Sequence, residues 1–159
     1  QYQTGKSIQK LNLPPYNANI KSDNGRNLIF DVLRGKYVAL TPEEWVRQNF
    51  VQYLINYKNY SRSLMNNEIP LRLNGTSKRC DTVVFSNTAV PKMIIEYKAP
   101  EIKITQKVFN QITRYNMVLK VDYLVVSNGL NHYCCKMDYE NQGYIFLEDV
   151  PDFSVLLNE

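Results

Sequence analysis

The stretch CDTVVFSNTAVPKMIIEYK, residues 80–98, contains two apolar runs of strand length that are separated by a short loop. The first run predicts a strand at residues 80–86, and the second run predicts a strand at residues 92–98. The loop between them, residues 87–91, is short enough to join the two strands as a hairpin. Because residues 93–95 are all apolar, we expect the second strand to be buried on both faces.

Three charged residues lie near one end of this hairpin. Asp81 is close to the start of the first strand, and Glu96 and Lys98 are at the end of the second. Positions two apart on a strand share a face, and the antiparallel partner brings Asp81 roughly opposite them. An ordinary ion-pair cluster at a sheet end is the alternative interpretation. An unpaired carboxylate that follows a buried apolar run is costly, so a functional role explains Glu96 better.

Two carboxylates and an amine at one place are the groups that phosphodiester hydrolysis requires. Carboxylate oxygens can hold Mg²⁺, a hard cation that prefers oxygen ligands, and the metal stabilises charge on the phosphate and activates a water. A lysine beside the metal can orient or deprotonate that water and can neutralise the transition state. The residue types therefore match metal-dependent hydrolysis of a nucleic acid.

The segment Thr41-Pro42-Glu43-Glu44 predicts the start of a helix, with Thr41 as the N-cap, Pro42 at the first position and acidic residues in the first turn. We expect this helix to end at about Tyr57. At about 100° per residue, Glu43 lies in line with the apolar stripe of the helix and Glu44 points away from it. The stripe that we expect to face the core consists of Val46, Phe50, Tyr53, Leu54 and Tyr57.

The remaining patterns predict an irregular arm at residues 1–27 and a single domain at residues 28–159. A second helix is expected at about residues 103–119, with Val108, Ile112, Tyr115 and Leu119 as its inward stripe. The resulting fold class is α/β (α+β), with a mixed central sheet that is flanked by helices. Further strands are expected at residues 28–33, 36–40, 64–73, 121–127, 131–138 and 144–147, and Pro70 makes the third of these an edge or bulged strand.

Composition and charge narrow the class of protein. The chain has 159 residues, of which 44% are hydrophobic, and this length suits one compact domain. No apolar run approaches the ~20 residues that cross a bilayer, and the first residues lack the apolar part of a secretory signal. We expect a cytoplasmic location, which the three cysteines also fit because they form no disulfide framework. The net charge of +4 suits a phosphate-bearing partner, and basic residues gather in the middle third: Lys78, Arg79, Lys98, Lys103, Lys107, Arg114 and Lys120.

An Asp followed by a strand that ends in Glu-x-Lys resembles the PD-(D/E)XK nuclease superfamily. Here the motif is Asp81 followed by Glu96-Tyr97-Lys98, and Gln111-Ile112-Thr113-Arg114-Tyr115 looks like the QxxxY element of its RecB-like branch. Together with the EYKAP and FNQITRYN stretches, the sequence from about residue 28 to residue 129 resembles the N-terminal nuclease domain of type I restriction enzyme R subunits. No GxxxxGK[ST] loop occurs in these 159 residues, so we expect no translocating motor in this stretch.

The resemblance implies a restriction-endonuclease-like fold, DNA as the substrate, and Mg²⁺ or Mn²⁺ as the cofactor. It implies that Asp81, Glu96 and the backbone carbonyl of Tyr97 hold the metal, and that Lys98 acts on the nucleophilic water. The family often places a further acidic residue on the first core helix, and Glu43 fits that position. The alternatives to it are Glu44 and Glu68. Glu43 could also serve only the helix dipole, with Arg47 as an i+4 ion-pair partner.

The resemblance further implies that Gln111 contacts the carboxylates of the metal site or the DNA, with support from Tyr115. For Tyr115, core packing is the competing explanation. Lys78 and Arg79 could clamp the phosphate backbone, since arginine matches phosphate geometry. Zinc ligation is not expected, because only one histidine and two adjacent cysteines lie close together, and we assign structural roles to His132, Cys134 and Cys135.

Two other classes of function stay open on the sequence. The first is a DNA-binding module that keeps the fold without turnover, whose phosphate contacts come from lysine and arginine. The second is a protein-interaction domain within a restriction or defence complex. For assembly, we consider a homodimer or a complex with restriction subunits.

Overall fold

A computed structural model of the chain describes residues 8–73, 75–117 and 119–157, apart from the side chains of residues 73, 76–78 and 115. The side chains of Lys78 and Tyr115, two of the predicted site residues, therefore lie outside the described residues. The helices are α1 (Pro42–Tyr57), α2 (Gln106–Met117) and α3 (Phe153–Leu157), with a short 3₁₀ turn at Arg62–Leu64. The strands are β1 (Ile20–Asp23), β2 (Arg26–Asp31), β3 (Lys36–Ala39), β4 (Met65–Leu73), β5 (Thr76–Phe85), β6 (Pro91–Tyr97), β7 (Tyr123–Ser127), β8 (His132–Asp138) and β9 (Gly143–Leu147).

A six-stranded mixed sheet in the order β4-β5-β6-β7-β8-β9 forms the centre of the described part of the chain. Neighbouring strands are antiparallel except β6 and β7, which run parallel. A parallel pair needs a crossover connection, and α2 lies between β6 and β7 in the chain. This arrangement confirms the predicted mixed sheet with helices and is consistent with a restriction-endonuclease-like fold.

Strand β6 lies at the middle of this sheet, and its apolar run is buried on both faces as predicted. Met93, Ile94 and Ile95 are fully inaccessible to solvent. Met93 and Ile95 belong to the core on the α1 side, whereas Ile94 belongs to the core on the α2 side. The strand is therefore held from both faces, which fixes the position of the polar residues at its end.

Helix α1 begins and ends at the predicted residues. The Thr41 hydroxyl accepts a hydrogen bond from the backbone amide of Glu44 at 3.0 Å, as an N-cap should. Val46, Phe50 and Leu54 are fully buried, as the stripe predicted. Tyr57 is 60% exposed, so its predicted place in the core is wrong. It lies in the last turn, where its ring stacks on Tyr53 instead of on the sheet.

The inward stripe predicted for the second helix is confirmed only in part. Leu119, just after α2, is buried as predicted, and Ile112 packs partly buried on the same core, but Val108 is only half-buried. Among the described side chains of α2 itself, the buried ones are Phe109, Thr113 and Asn116. A stripe built from apolar residues could not include the last two. Thr113 and Asn116 can be buried because their side chains donate hydrogen bonds to the carbonyls of Phe109 and Ile112, each at 2.8 Å.

The N-terminal region is more ordered than the irregular arm that we expected. Residues Ile20–Asp23 form β1, which pairs with β2 through a turn at Asn24 and Gly25, both with positive φ. Asn-Gly is a strong signal for a two-residue hairpin, and the prediction of an irregular arm overlooked the strand before this turn. Strands β1, β2 and β3 form a separate three-stranded sheet.

Residues before β1 pack on the main sheet. Leu11 is buried in the α1-side core, and the backbone amide of Asn12 donates to the carbonyl of Gly129 at 2.8 Å. His132 lies between the Ser127 hydroxyl, at 2.7 Å, and the carbonyl of Asn12, at 2.9 Å. Burial lowers the pKa of His132, so the imidazole serves there as a neutral hydrogen-bonding group. The three cysteines are buried, and none of them forms a disulfide.

Gly129 is the position where this packing tolerates no side chain. Its φ is +85°, and a Cβ would lie 2.8 Å from Leu11 Cδ2 and 3.1 Å from Val46 Cγ2. We predict that Gly129→Ala lowers the free energy of unfolding by roughly 2–4 kcal/mol, from backbone strain together with the clash. Gly25→Ala is the matched control, because Gly25 has φ +78° but open space around it. It should lose only about 1 kcal/mol. Equal losses in urea unfolding would show that the contact with Leu11 is unimportant.

Candidate active site

In both β4 and β5, the regular alternation of side chains between the two faces of the sheet is interrupted, at Glu68 in β4 and at Asp81 in β5. Asn67 pairs with Thr82 and Ile69 pairs with Cys80, so Glu68 and Asp81 lie between these two pairs. Regular alternation would put positions two apart on one face. Thr82 instead bonds to Tyr97 in the α1-side core, whereas Cys80 is buried in the α2-side core. Glu68 has φ +56°, in the left-handed region, at the point of this change.

Asp81 uses this irregular position to reach the end of β6. Its carboxylate Oδ2 accepts a hydrogen bond from the backbone amide of Tyr97 at 2.9 Å. Its own backbone carbonyl accepts a hydrogen bond from Arg47 Nη1, also at 2.9 Å. The structure thus joins Asp81 directly to the Glu-x-Lys segment, which the sequence predicted to be its partner.

Glu43 lies at the start of α1 and is exposed. Partial burial and the negative charge of Asp81 raise the pKa of Glu43, while the positive charges of Lys98 and Arg47 act in the opposite direction. The charge of Glu68 adds to the increase. Glu43, Asp81 and Lys98 therefore share one electrostatic environment, although they come from three different elements.

The orientation that the sequence predicted for the two glutamates is wrong. Glu44, expected to point away from the core side of α1, is 6% exposed, and Glu43 is the exposed one. Arg47 was considered as an i+4 partner of Glu43, but it pairs with Glu44 at i+3. The reason is that the buried side of α1 carries polar residues here, which an apolar stripe cannot reveal.

The buried carboxylate of Glu44 is surrounded by donors. Arg47 donates to its two oxygens at 2.8 and 3.1 Å, Arg34 donates to both at 3.1 Å, and Gln48 donates at 2.7 Å. Burial alone would raise the pKa of Glu44, but the hydrogen bonds and charge of Arg47, with help from Gln48 and Arg34, lower it. Glu44 is therefore already engaged in a structural network.

Glu68, the other alternative to Glu43, also contacts Arg47. Its Oε2 lies 2.8 Å from Arg47 Nη1. Its backbone carbonyl accepts a hydrogen bond from Arg79 Nη1 at 2.5 Å. Arg79, which we predicted to bind phosphate, is exposed and in this structure contacts the strand next to its own.

Glu96 and Lys98 are both half-buried at the end of β6. Glu96 pairs in register with Val126 of β7, and the amide of Lys98 donates to the carbonyl of Ser127 at 2.9 Å. Gln111 is exposed on α2. Within the described residues, no three His, Cys, Asp or Glu side chains form a ready metal site. The ligand set expected from the sequence requires only two carboxylates with one backbone carbonyl, which are hard oxygen donors that suit Mg²⁺.

Sequence reasoning missed that Arg47 and Gln48 are buried and that both donate to Glu44. Both are buried, at 6% and 1% exposure. The only sequence signal was an arginine and a glutamine placed between the buried positions Val46 and Phe50 of an otherwise apolar stripe. A charged residue at such a position needs a buried partner, and this is the clue that could have identified them.

The mixed six-stranded sheet with its flanking helices is consistent with a restriction-endonuclease-like domain. The family model for the type I restriction enzyme R protein N terminus matches residues 42–151, from α1 to just beyond β9. The chain belongs to this family, which confirms the resemblance seen in its sequence.

A solved structure of a DrdV-DNA complex, determined by cryoEM, is similar to the chain with a TM-score of 0.44 and 15% sequence identity. The match covers 74% of this chain and 12% of that chain, so the sequence spans only a small part of that protein. No curated protein matches the sequence significantly. Within the described residues, none of the helices has the length and apolar character that crossing a membrane requires.

The network around Glu44 predicts a pH dependence of stability. Because the pKa of Glu44 is lowered from 4.5 in the folded protein, its contribution should be complete above that pH and should be lost as the pH falls through the lower folded value. We expect Glu44→Gln to reduce the free energy of unfolding by about 3 kcal/mol at pH 7. The difference from wild type should shrink below about pH 4.5. Glu140→Gln, at an exposed position, is the control. A pH-independent difference for Glu44→Gln would contradict this account.

Proposed function

We propose that this chain is a metal-dependent nuclease domain that hydrolyses DNA phosphodiester bonds with Mg²⁺ or Mn²⁺. The observation that carries the proposal is the hydrogen bond from the Tyr97 amide to the Asp81 carboxylate. It joins the two halves of the Asp…Glu-x-Lys motif in a member of the restriction enzyme R protein N-terminus family. Asp81 and Lys98 of the motif also share one electrostatic environment with Glu43.

The proposed metal ligands are the carboxylates of Asp81 and Glu96 and the backbone carbonyl of Tyr97. When bound, the metal would supply charge stabilisation on the phosphate and would lower the pKa of a coordinated water. The hydrogen bond to the Tyr97 amide restricts rotation of the Asp81 carboxylate. A proposed ligand on β5 is thereby held against the residue that provides the proposed carbonyl ligand on β6.

Lys98 is proposed to hold its ammonium close to the attacking water and the scissile phosphate. Its attraction to Glu43 is consistent with a position inside the acidic cluster. There the amine can orient or deprotonate the water and can neutralise charge that develops in the transition state. Glu43 is proposed as the additional acidic residue from the first core helix, because Glu44 is engaged with Arg34, Arg47 and Gln48.

DNA is the proposed partner, and the chain's net charge of +4 favours it. Arg79, Lys78, Gln111 and Tyr115 are proposed to contact the substrate. We further propose that the domain acts in the cytoplasm, as a homodimer or with other restriction subunits. The chemistry proposed for the metal site is the same whichever of these partners the domain has.

The first test is plasmid cleavage by the purified chain in the presence of Mg²⁺ or Mn²⁺. We expect nicking or cleavage by the wild type, and a reduction on the order of 10²–10⁴-fold in Asp81→Ala and Lys98→Ala. Lys36→Ala is the matched control, since Lys36 is an exposed lysine on the separate three-stranded sheet, and it should keep wild-type activity.

Three results would lead to different conclusions. Absence of cleavage with either metal, together with absence of metal binding in calorimetry, refutes the proposal. Salt-sensitive DNA binding that persists in Asp81→Ala and Glu96→Ala, without cleavage by the wild type, indicates a DNA-binding module. Absence of any DNA affinity indicates a protein-interaction domain.

A second test separates Glu43 from Glu44. We expect Glu43→Gln to reduce cleavage by roughly tenfold or more, because it removes a charge from the acidic cluster. Its unfolding transition should stay close to that of the wild type, since Glu43 is exposed. Glu44→Gln should instead lose stability. Cleavage rates and urea unfolding, measured on both variants, test this, and full activity in Glu43→Gln would remove Glu43 from the site.

A further inference from the structure

We propose that Arg47 is a positioning residue for this site. Its guanidinium binds β4 and β5 at Glu68 and Asp81, where the side chains of both strands change from one face of the sheet to the other. These bonds set where the Asp81 carboxylate lies. This inference rests on the proposed nuclease function and adds to it the residue that organises the acidic groups. Arg47 is not proposed to touch the substrate or the metal.

The contacts of Arg47 reach β4 and β5 as well as its own helix. Nη1 donates to the backbone carbonyl of Asp81 at 2.9 Å and to Glu68 Oε2 at 2.8 Å. Nη2 and Nε donate to the two oxygens of Glu44 at 2.8 and 3.1 Å. The side chain is 7% exposed, so these bonds form in a largely desolvated environment. One guanidinium thus connects α1 to Glu68 of β4 and to Asp81 of β5.

The backbone at this level is in a conformation that needs support. Glu68 has φ +56° within a strand, which L-residues other than glycine and asparagine rarely adopt. The residue is held at both ends, because Arg47 binds its carboxylate and Arg79 binds its carbonyl. Unfavourable backbone conformations persist only where surrounding contacts impose them. Two arginines, Arg47 and Arg79, impose this conformation on Glu68, and Arg47 is the buried one of the two.

The change of face has a direct consequence for Asp81. In regular alternation, Cys80 would share the face of Thr82, yet the two residues lie on opposite sides of the sheet. The strand makes this change at Asp81, where Arg47 binds the carbonyl. The Asp81 side chain then reaches the Tyr97 amide at the end of β6. The position of the proposed metal ligand therefore depends on the contact with Arg47.

An arginine is required for this role by geometry. The planar guanidinium presents five N–H donors in a fixed fork, so it can bind Glu44 with one edge while another nitrogen serves Asp81 and Glu68. A lysine ammonium carries the same charge as a single point and cannot keep all of these bonds at once. Arg47→Lys therefore removes the positioning while it preserves the charge.

The test uses the whole chain and compares Arg47→Lys with the wild type. Mn²⁺ affinity is measured by electron paramagnetic resonance, and kcat and KM are measured on a DNA substrate. We expect the Mn²⁺ dissociation constant to rise at least tenfold and kcat to fall at least 100-fold, while KM for DNA stays within threefold. Loss of structural stability alone would not produce this pattern in a variant that is shown to be folded by its unfolding transition.

Lys92→Gln is the matched control. Lys92 also forms an ion pair, with Asp122 at 3.1 Å, and is 15% exposed, but it lies at the opposite end of β6. Removing the charge of Lys92 should leave Mn²⁺ affinity and kcat unchanged. Should Arg47→Lys fail to fold, Glu68→Asn provides the second variant, because asparagine tolerates positive φ but removes the carboxylate that Arg47 binds. It should weaken Mn²⁺ binding and reduce kcat in the same direction.

The outcomes distinguish this inference from the proposed function. A folded Arg47→Lys or Glu68→Asn variant with wild-type Mn²⁺ affinity and kcat overturns the positioning role while the nuclease proposal stands. A wild type that neither binds Mn²⁺ nor cleaves DNA overturns both. Reduced Mn²⁺ affinity and kcat in the variant, with Lys92→Gln unchanged, supports both.

Discussion

The buried ion pair between Arg47 and Glu44 is the interaction on which the site depends. Removing two charges from water costs several kcal/mol per ion, and their mutual attraction alone does not always offset this. Here further hydrogen bonds reduce the cost, from Gln48 to Glu44 and from Arg47 to the carbonyl of Asp81. Such a pair specifies geometry more than it adds stability. Because one partner reaches β4 and β5 and the other contacts Arg34, the first helix can dock in only one way.

A second chain of hydrogen bonds supports the same place from the other side. Asn67 donates to the buried carboxylate of Asp31 at 3.0 and 3.2 Å, and Thr82 donates to Asn67 at 2.6 Å. Thr82 also bonds to the Tyr97 hydroxyl at 2.9 Å. Tyr97, whose amide holds the Asp81 carboxylate, is thus fixed at both its backbone and its ring. This explains why the small N-terminal sheet, which carries Asp31, matters to a site on the large one.

Local signals predicted most of the elements, whereas buried polar contacts, both local and long-range, were missed. Helix α1 was predicted to the residue because a threonine cap and a proline act within one turn. The burial of β6 followed from consecutive apolar residues. The partners of Glu44, by contrast, include Arg34, ten positions away on another element. Nothing in the helical periodicity shows such a partner, so the burial of Glu44 could not be predicted. Two local polar contacts were missed for another reason: the i+3 pair of Arg47 with Glu44 and the bond of Thr113 within α2 involve polar residues, which an apolar stripe does not count.

The adjacent glutamates of α1 show how one dipeptide serves two purposes. The pKa of Glu44 is lowered because arginine surrounds it, whereas the pKa of Glu43 is raised by partial burial and by the neighbouring charge of Asp81. A carboxylate with a lowered pKa has already gained its counter-charge from the protein. For Glu43, the positive charges of Lys98 and Arg47 do not offset burial and the charge of Asp81, and a divalent cation would relieve that repulsion. The fold therefore assigns Glu44 to holding the helix, and the electrostatics support Glu43 as the acidic residue that a metal ion would meet.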